Sequence, residues 1–302
     1  MTSLNLRPVA SSSSASSSSA SSSKPIPSPA SLKPWDFAYS SSSDGCDTNL
    51  LIMFHGLGDS KTPFFNLAKQ LNLPSTAILS LSAIDPIPLM DHPSFSWYPT
   101  FTSTYDPIPI ANQNPTVHLS KLRDLVSTLI TPSGHTGSSA VSGGGGGGLG
   151  WKLDEIHLFG WGQGGTIALE LGLSIGKNPL TISTSAVESE GKGGKRFGSI
   201  TSICANLLTH PTSSLNIPTP VCYFTRTSPK SSIHEKSVNV LKRAFREVQI
   251  VTPKGSGGGG EDMPRSKDDW YGIMKFWSQV LGRKSDEDKT WKGQGEVYEV
   301  IR

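Results

Sequence analysis

Two glycine-containing segments each follow an apolar run that predicts a buried strand. The segment HGLGDS at 55–60 follows NLLIMF at 49–54, and GWGQGG at 160–165 follows the run at 155–159. A segment of the form G-x-S-x-G, at a sharp turn from strand to helix, can present a serine nucleophile for acyl transfer. The spacing suits that chemistry here, but the central position is Gly162, which has no side chain to attack a carbonyl.

The same two segments supply backbone donors. An oxyanion hole is built from the N–H group that follows the nucleophile and a second N–H from an earlier strand-to-helix loop. These positions are Gln163 and Leu57, and neither needs its side chain for this role. A dinucleotide-binding interpretation of GWGQGG fails, because no acid for the ribose follows at about twenty residues.

HGLGDS, GWGQGG and the SFSWYP segment at 94–99 resemble the HGLGD, GFSQGG and SWF/SWY elements of acyl-protein thioesterases and related carboxylesterases. The resemblance covers roughly residues 49–281. It implies an α/β-hydrolase fold, with a mostly parallel, doubly wound central sheet and helices on both faces. It also implies hydrolysis of esters or thioesters of acylated proteins or lysophospholipid-like molecules, with no cofactor.

The resemblance also assigns the positions of a Ser-Asp-His triad, and this sequence departs from all three. They are Gly162, Ser228 and Asp262. There is no Asp or Glu between Gly198 and His234, and no His follows His234. Since the family's chain order is Ser, then Asp, then His, the sequence predicts a degenerate triad.

Substitutes for the missing groups are few. The segment AVSGG at 140–144 resembles the turn motif but has no strand before it. His55 could serve as a base, although a structural role beside the oxyanion loop is the alternative. His234 begins a helix, where a capping or solvent-facing role is the simpler interpretation. The residues expected to line the cleft are His55, Gly56, Phe95, Trp97, Tyr98 and Trp161. The lid aromatics Phe95, Trp97 and Tyr98 could equally be core residues.

Three functions remain open from the sequence. The leading one is a pseudoenzyme that binds an acyl chain, an acylated peptide or a protein partner in the old cleft. The second is an active carboxylic ester or thioester hydrolase with a displaced nucleophile or a water molecule, since an oxyanion hole alone retains roughly 10³–10⁴-fold catalysis over water. The third is a scaffold whose serine-rich segments are phosphorylated.

Low-complexity segments set the domain organisation. We expect a disordered, serine-rich tail at 1–33 and one α/β-hydrolase domain at 34–302, with disordered insertions at 132–150, 176–197 and 253–261. A proline-rich, lid-like loop is expected at 82–115. Predicted strands lie at 49–54, 76–81, 155–159, 199–205, 221–224 and 248–251, with a further edge-like strand in the last eight residues. Predicted helices lie at 62–71, 117–130, 166–174, 235–246 and 264–281.

Composition excludes several classes of protein. The net charge of +3 and the scattered basic residues give no nucleic-acid footprint. No apolar run is long enough for a transmembrane helix, and the N-terminus has no apolar signal segment. The three cysteines are unpatterned, and Cys204 and Cys222 lie in apolar strand-like runs, which favours buried free thiols over a disulfide or a metal site. This indicates a reducing compartment, so we predict a cytoplasmic protein without a metal site or cofactor.

Overall fold

The computed structural model describes residues 24–104, 106–132, 148–180, 196–253 and 262–282, together with the backbone of 5–8 and 298–301. The strands are β1 (Asn5–Pro8), β2 (Asp36–Ser40), β3 (Asn49–Phe54), β4 (Thr76–Ser82), β5 (Asp85–Pro86), β6 (Phe95–Ser96), β7 (Ile156–Trp161), β8 (Ser199–Ile203), β9 (Val221–Phe224), β10 (Val248–Val251) and β11 (Tyr298–Ile301). The helices are α1 (Lys61–Leu71), α2 (Thr116–Ile130), α3 (Gln163–Lys177), α4 (Ser232–Ala244) and α5 (Lys267–Val280).

Seven of these described strands form the central sheet in the order β10-β9-β8-β7-β3-β4-β2. All neighbouring pairs are parallel except β2 with β4. Every residue of β3 and nearly every residue of β7 is buried, as expected for strands covered on both faces. Their carboxyl ends lie side by side, because Phe54 pairs with Gly160.

Helices cover both faces of the sheet, which confirms the doubly wound architecture. On one face, Leu122 of α2, Ile167 of α3 and Leu241 of α4 belong to one buried cluster. On the other face, Phe64 of α1 and Trp277 of α5 belong to a second cluster. The sheet therefore separates two apolar cores and carries the loops of the predicted site at one edge.

The packed part of the chain begins earlier than the predicted boundary at residue 33. Leu32 is buried in the larger core. Lys24 Nζ donates to the carbonyl of Gly150 at 2.7 Å and to Glu155 at 3.1 Å, and it lies 5.0 Å from the centre of the Trp151 ring. These contacts join segments distant in sequence, so local composition could not reveal them.

The insertions are shorter at their ends than predicted. Leu149 and Phe197 are buried, and α3 extends to Lys177. Residues 133–147, 181–195 and 254–261 lie outside the described residues, as does the AVSGG segment at 140–144.

The structure shortens one predicted strand and adds two features of strand pairing that the sequence did not predict. The predicted strand 199–205 ends at Ile203, since Cys204 has a left-handed φ of 50°. The antiparallel edge strand β2 was not predicted. The C-terminal strand pairs with β1 in a separate two-stranded sheet. No helix in the described ranges is long and apolar enough to cross a membrane.

Candidate functional site

The turn between β7 and α3 has the backbone of a nucleophile elbow. Gly162 has φ 53° and ψ −121°, a backbone conformation that residues other than glycine adopt only with strain. Its N–H donates to the carbonyl of Ile203 at 2.9 Å, and its own carbonyl accepts from the N–H of Thr166 at 3.0 Å. A Cβ added at Gly162 would meet no heavy atom within 4 Å. The position where a nucleophile would stand is therefore open and empty of any functional group.

Close backbone contacts hold this turn against the neighbouring loop. A Cβ at Gly160 would lie 2.3 Å from the carbonyl oxygen of Gly164. A Cβ at Gly164 would lie 2.3 Å from the carbonyl oxygen of His55 and 2.4 Å from that of Phe54. The two glycines thus let β7, the start of α3 and the end of β3 approach each other more closely than other residues allow.

Leu57 and Gln163 carry the predicted amide pair. Leu57 follows β3 in the HGLGDS loop and is 42% exposed, whereas Gln163 is the first residue of α3. Neither N–H group has an acceptor among the residues that the structure describes. Unsatisfied N–H groups are expected in the first turn of a helix, where the helix dipole also favours negative charge. Binding of an oxyanion by this pair stays a prediction.

The side chain of Gln163 holds the SFSWYP segment through two hydrogen bonds to its backbone, an arrangement that we call the Gln163 clamp. Its Oε1 accepts from the N–H of Trp97, and its Nε2 donates to the carbonyl of Tyr98, both at 2.7 Å. Ser96 Oγ donates to the same carbonyl of Tyr98 at 2.7 Å. The glutamine of GWGQGG therefore fixes the SFSWYP segment beside the elbow, a role that the sequence analysis missed.

His55 has a structural role. Its Nε2 accepts from the N–H of Ala83 at 2.9 Å, and its Nδ1 lies 2.6 Å from the carbonyl oxygen of Gly56. Since a backbone N–H can only donate, Nε2 is unprotonated and Nδ1 carries the proton. Burial lowers the pKa of His55 below 6.5, which favours this neutral form. Both ring nitrogens are engaged, so the hypothesis that His55 is the base finds no support.

The aromatic residues predicted to line the cleft divide into two groups. Trp97 and Tyr98 are buried, and Trp97 Nε1 donates to the carbonyl of His55 at 2.8 Å. Phe95 and Trp161 are only half-buried. Trp161 stacks on Phe64 with ring centres 6.4 Å apart, and a Cβ at Gly56 would lie 2.7 Å from the Trp161 ring.

This division bears on the predicted ligand-binding set, which stays a prediction. Both ring nitrogens of His55 and the Nε1 of Trp97 already bond to backbone groups, and Tyr98 is buried in the larger core.

The positions that the family resemblance assigns to the acid and the histidine are occupied by Ser228 and Asp262. Ser228 follows β9 and is half-buried, and its Oγ accepts a long bond of 3.4 Å from the N–H of Lys230. Asp262 is exposed, and its Oδ1 pairs with Arg265 at 3.1 Å. Neither side chain is bonded to the other or to the elbow within the described ranges.

Arg226 joins the two loops that would carry the acid and the histidine. Its Nε donates to the carbonyl of Asp262 at 3.3 Å, and its Nη2 donates to the carbonyl of Met263 at 3.0 Å. Nη2 also donates to Asp269 Oδ2 at 2.7 Å. Arg226 thus joins the loop after β9 to the start of α5, the two segments to which the family resemblance assigns the acid and the histidine.

Asp269 is the buried anchor of this arrangement. Burial alone would raise the pKa of its carboxyl group, but hydrogen bonds from the Arg265 N–H, the Arg226 side chain and the Ser266 N–H hold that pKa below 3.8. Asp269 and Ser266 also form the capping box of α5. The sequence signal was present as Ser266-Lys-Asp-Asp269, a capping-box spacing before an apolar run.

Cys204 lies closer to the site than the sequence predicted. It follows Ile203, whose carbonyl accepts the elbow N–H, and it is half-buried rather than buried. Its Sγ lies 3.6 Å from the carbonyl oxygen of Asp262. Cys222 is buried as predicted, and burial raises the pKa of its thiol to about 12. No group of three metal-ligating side chains comes together in the part of the chain that the structure describes.

Comparisons with known proteins agree with this geometry. The sequence profile of the phospholipase/carboxylesterase family matches residues 40–192. An uncharacterized hydrolase from Mycosarcoma maydis is 32% identical over 274 residues, which cover 87% of this chain and 87% of that protein.

Solved structures with the same architecture include esterases and thioesterases. The esterase PE8 superposes with a TM-score of 0.56 at 14% identity, covering 82% of this chain and 99% of that chain. Acyl-protein thioesterase 2 from Zea mays superposes with a TM-score of 0.51 at 16% identity, with the same coverage of 82% and 99%. At these identities the likeness concerns the fold alone.

Proposed function

The chain belongs to the phospholipase/carboxylesterase family and has its α/β-hydrolase fold, and we propose that it binds an acyl ligand without Ser-Asp-His catalysis. One observation carries the proposal. The elbow keeps its strained backbone, but Gly162 places no atom where the nucleophile must stand. Glycine removes the strain of roughly 1–3 kcal/mol that a serine would store there, a substitution expected when hydrolysis is not selected.

The surroundings of Gly162 support the same conclusion. Hydrolysis through a triad needs a base in hydrogen-bond reach of the nucleophile and an acid to orient that base. Ser228 and Asp262 provide neither group, and Arg226 bonds to the loop carbonyls between them. His55 is neutral and fully bonded.

An acyl carbonyl or carboxylate fits what remains of the site. Leu57 and Gln163 offer N–H groups, and the first turn of α3 favours negative charge. The maize relative in fold acts, by its name, on acylated proteins. We therefore infer that the ligand carries a carbonyl or carboxylate on an acyl chain, either free or attached to a peptide. Three cysteines that are thiols rather than disulfides support the proposed cytoplasmic location.

Activity-based labelling tests the absence of catalysis. The purified chain is incubated with a fluorophosphonate probe and with short-chain nitrophenyl esters and thioesters. We expect no covalent labelling, and turnover no higher than the roughly 10³–10⁴-fold over water that a triad-less oxyanion hole retains. Labelling of a single residue, with turnover above that range that is lost on its substitution, would falsify the proposal.

Binding is measured separately. Palmitate and a peptide with an N-palmitoyl amide, which keeps the acyl carbonyl and resists ester hydrolysis, are titrated against the chain by calorimetry. Leu57→Asp places a carboxylate beside the amide pair at an exposed position, so it is expected to weaken binding at least about tenfold. Ile233→Asp is the matched control, since Ile233 is exposed on α4. Equal binding by both variants contradicts the cleft as the binding site.

A second candidate function retains hydrolysis with a displaced nucleophile, and the position of Cys204 favours it. Cys204 directly follows Ile203, whose carbonyl accepts a hydrogen bond from the N–H of Gly162. Its half-buried thiol lies beside the carbonyl of Asp262. Iodoacetamide labelling and the substrate panel are repeated on Cys204→Ser. Turnover that disappears in this variant identifies the displaced nucleophile, whereas unchanged background turnover rejects it.

A further inference from the structure

A cavity of about 400 Å³ lies at the end of the central sheet opposite the elbow. Five of its lining residues begin or directly precede neighbouring strands of the sheet, β10, β9, β8, β7 and β3; they are Glu247, Pro220, Gly198, Glu155 and Asn49. The elbow follows the carboxyl end of β7, and the cavity shares no lining residue with it. Small-molecule sites have volumes of roughly 300–1,000 Å³, so this cavity is large enough for a small ligand.

Two parts of the lining are held in place by the fold. A Cβ at Gly198 would lie 2.5 Å from the carbonyl oxygen of Asp154 and 2.5 Å from Cε1 of His157, so the lining is bare backbone at this point. The amide of Asn49 donates to the carbonyl of Gly282 at 3.0 Å and accepts from its N–H at 2.8 Å. A site that is ordered before binding loses less entropy when a ligand binds.

An unpartnered polar atom lies directly behind the lining. His157 is completely buried, and its Nε2 has no hydrogen-bond partner among the described residues. This atom would lie 2.7 Å from a Cβ at Gly198, which is itself part of the lining. Since buried polar groups normally have a partner, this side of the cavity favours a polar occupant over an apolar one.

The lining carries charges of both signs, and one carboxylate is already neutralised. Oε2 of Glu155 lies 3.1 Å from Lys24 Nζ, and Oε1 lies 3.7 Å from Lys152 Nζ. Oε2 also accepts from the N–H of Lys152 at 3.0 Å. Because two lysines face this one carboxylate, Glu155 has no charge left for a cationic ligand.

Three further charges of the lining remain open to a ligand. Arg196, Asp154 and Glu247 are exposed, and none of their side chains forms an ion pair with any residue that the structure describes. Helix α5 also ends at the cavity, with Gln279 and Val280 in the lining, and the C-terminal end of a helix favours a cation. The cavity thus offers a guanidinium to an anionic group, and two carboxylates and a helix end to a cationic group.

We propose that this cavity binds a free amino acid, a small zwitterion, through both of its charged groups. The carboxylate of the ligand would bond to Arg196, because a planar guanidinium matches a carboxylate with two parallel hydrogen bonds. The ammonium group would lie against Asp154 and Glu247. This site is independent of acyl binding at the elbow and of any chemistry there.

The charges of the lining disfavour ligands of a single sign. A phosphate or a dicarboxylate would meet three carboxylates and only two cations. A metal ion would face Arg196 and Lys152, and no group of three metal-ligating side chains comes together in the described ranges. A ligand with one charge of each sign avoids both costs.

Calorimetry on the full chain tests the proposal. The common amino acids are first screened by their effect on thermal unfolding, and the one with the largest effect is titrated. Two half-ligands are titrated beside it, the amine that lacks its carboxylate and the acid that lacks its amino group. We expect both half-ligands to bind at least about tenfold more weakly, and the amino acid to bind Arg196→Gln and Glu247→Gln at least about tenfold more weakly than the unmodified chain.

Arg243→Gln and Glu235→Gln are the matched controls, because they remove the same charges at exposed positions of α4 and should keep the affinity of the unmodified chain. The proposal is overturned if no amino acid binds at millimolar concentration, or if the Arg196 and Glu247 variants bind as the controls do. Equal affinity for the acid half-ligand would indicate an anion site, and equal affinity for the amine a cation site. Either result rejects a site for a zwitterion.

Discussion

Arg226 Nη2 lies 2.7 Å from Asp269 Oδ2, and this partly buried ion pair joins the loop after β9 to the start of α5. The family resemblance assigns the acid of a triad to the first of these loops and the histidine to the second. Here the guanidinium also bonds to the carbonyls of Asp262 and Met263. Arg226 thus ties the loop after β9 to the segment before α5 through three hydrogen bonds.

Substitution of Arg226 by alanine should destabilise the fold. The change removes three side-chain donors and leaves the Asp269 carboxylate buried without its cation. Loss of one partner of such a pair costs about 3 kcal/mol. We expect this loss in the free energy of unfolding, measured by urea titration. Arg265→Ala is the control, because the Arg265–Asp262 pair is largely exposed and should change stability by less than about 1 kcal/mol.

Two neighbouring glycines should respond oppositely to substitution. The Cβ of Gly162→Ser meets open space, so the variant should fold. Its free energy of unfolding should fall only by the backbone strain that a serine adds there, roughly 1–3 kcal/mol. Gly164→Ala would place its Cβ 2.3 Å from the carbonyl oxygen of His55, and should cost at least about 3 kcal/mol or prevent folding. Thermal unfolding of both purified variants measures the difference.

Gly162→Ser also tests separately whether a nucleophile at the elbow and a base beside it are present. The added hydroxyl has no base, so the variant should stay unlabelled by a fluorophosphonate at neutral pH. Rapid labelling of the introduced serine would mean that a base reaches the elbow despite the bonds of His55, and the argument that the surroundings of Gly162 lack a base would be wrong.

The sequence predicted the central strands well because their signal is local. β3 and β9 are continuous apolar runs buried on both faces, and their observed bounds match the prediction. The two glycine motifs were predictable for the same reason, since each turn is encoded by adjacent residues.

What the sequence missed depends on contacts between distant segments. Gln163 reaches Trp97 across 66 residues, and Arg226 reaches Asp269 across 43. The edge strand β2 has a weak apolar pattern and exists because it pairs with β4. The assignment of Trp97 to core or cleft was open, because an aromatic residue suits both and only the three-dimensional packing decides.

The clamp of Gln163 provides another test. Gln163→Ala leaves the buried N–H of Trp97 without an acceptor, while the carbonyl of Tyr98 keeps its bond from Ser96. We expect a loss of about 2–3 kcal/mol in the free energy of unfolding. Gln249→Ala is the matched control, since this half-buried glutamine makes a single bond of 3.2 Å to Gly272. Equal losses in the two variants would show that the clamp adds no stability.

The buried ring of His157 should make stability depend on pH. Its Nδ1 lies 2.8 Å from Ser199 Oγ, and burial lowers its pKa to about 4. The unfolded chain, with an ordinary pKa near 6.5, binds more protons than the folded chain between these two values. Stability should therefore be complete above about pH 6.5 and fall as the pH drops toward 4, by about 3 kcal/mol in total for this residue.

Urea unfolding at about pH 7 and pH 5 measures the contribution of His157 to stability, because roughly 2 kcal/mol of it is lost over that interval.

His55 and His118, whose pKa values are also lowered by burial, add to the loss of stability in the unmodified chain. His157→Gln keeps a polar group for Ser199 but cannot titrate. Between pH 7 and pH 5 this variant should therefore lose about 2 kcal/mol less stability than the unmodified chain does. His92→Gln, at an exposed position, should behave as the unmodified chain does. Identical pH dependence of His157→Gln and the unmodified chain would mean that His157 is protonated in the folded state, contrary to its complete burial in β7.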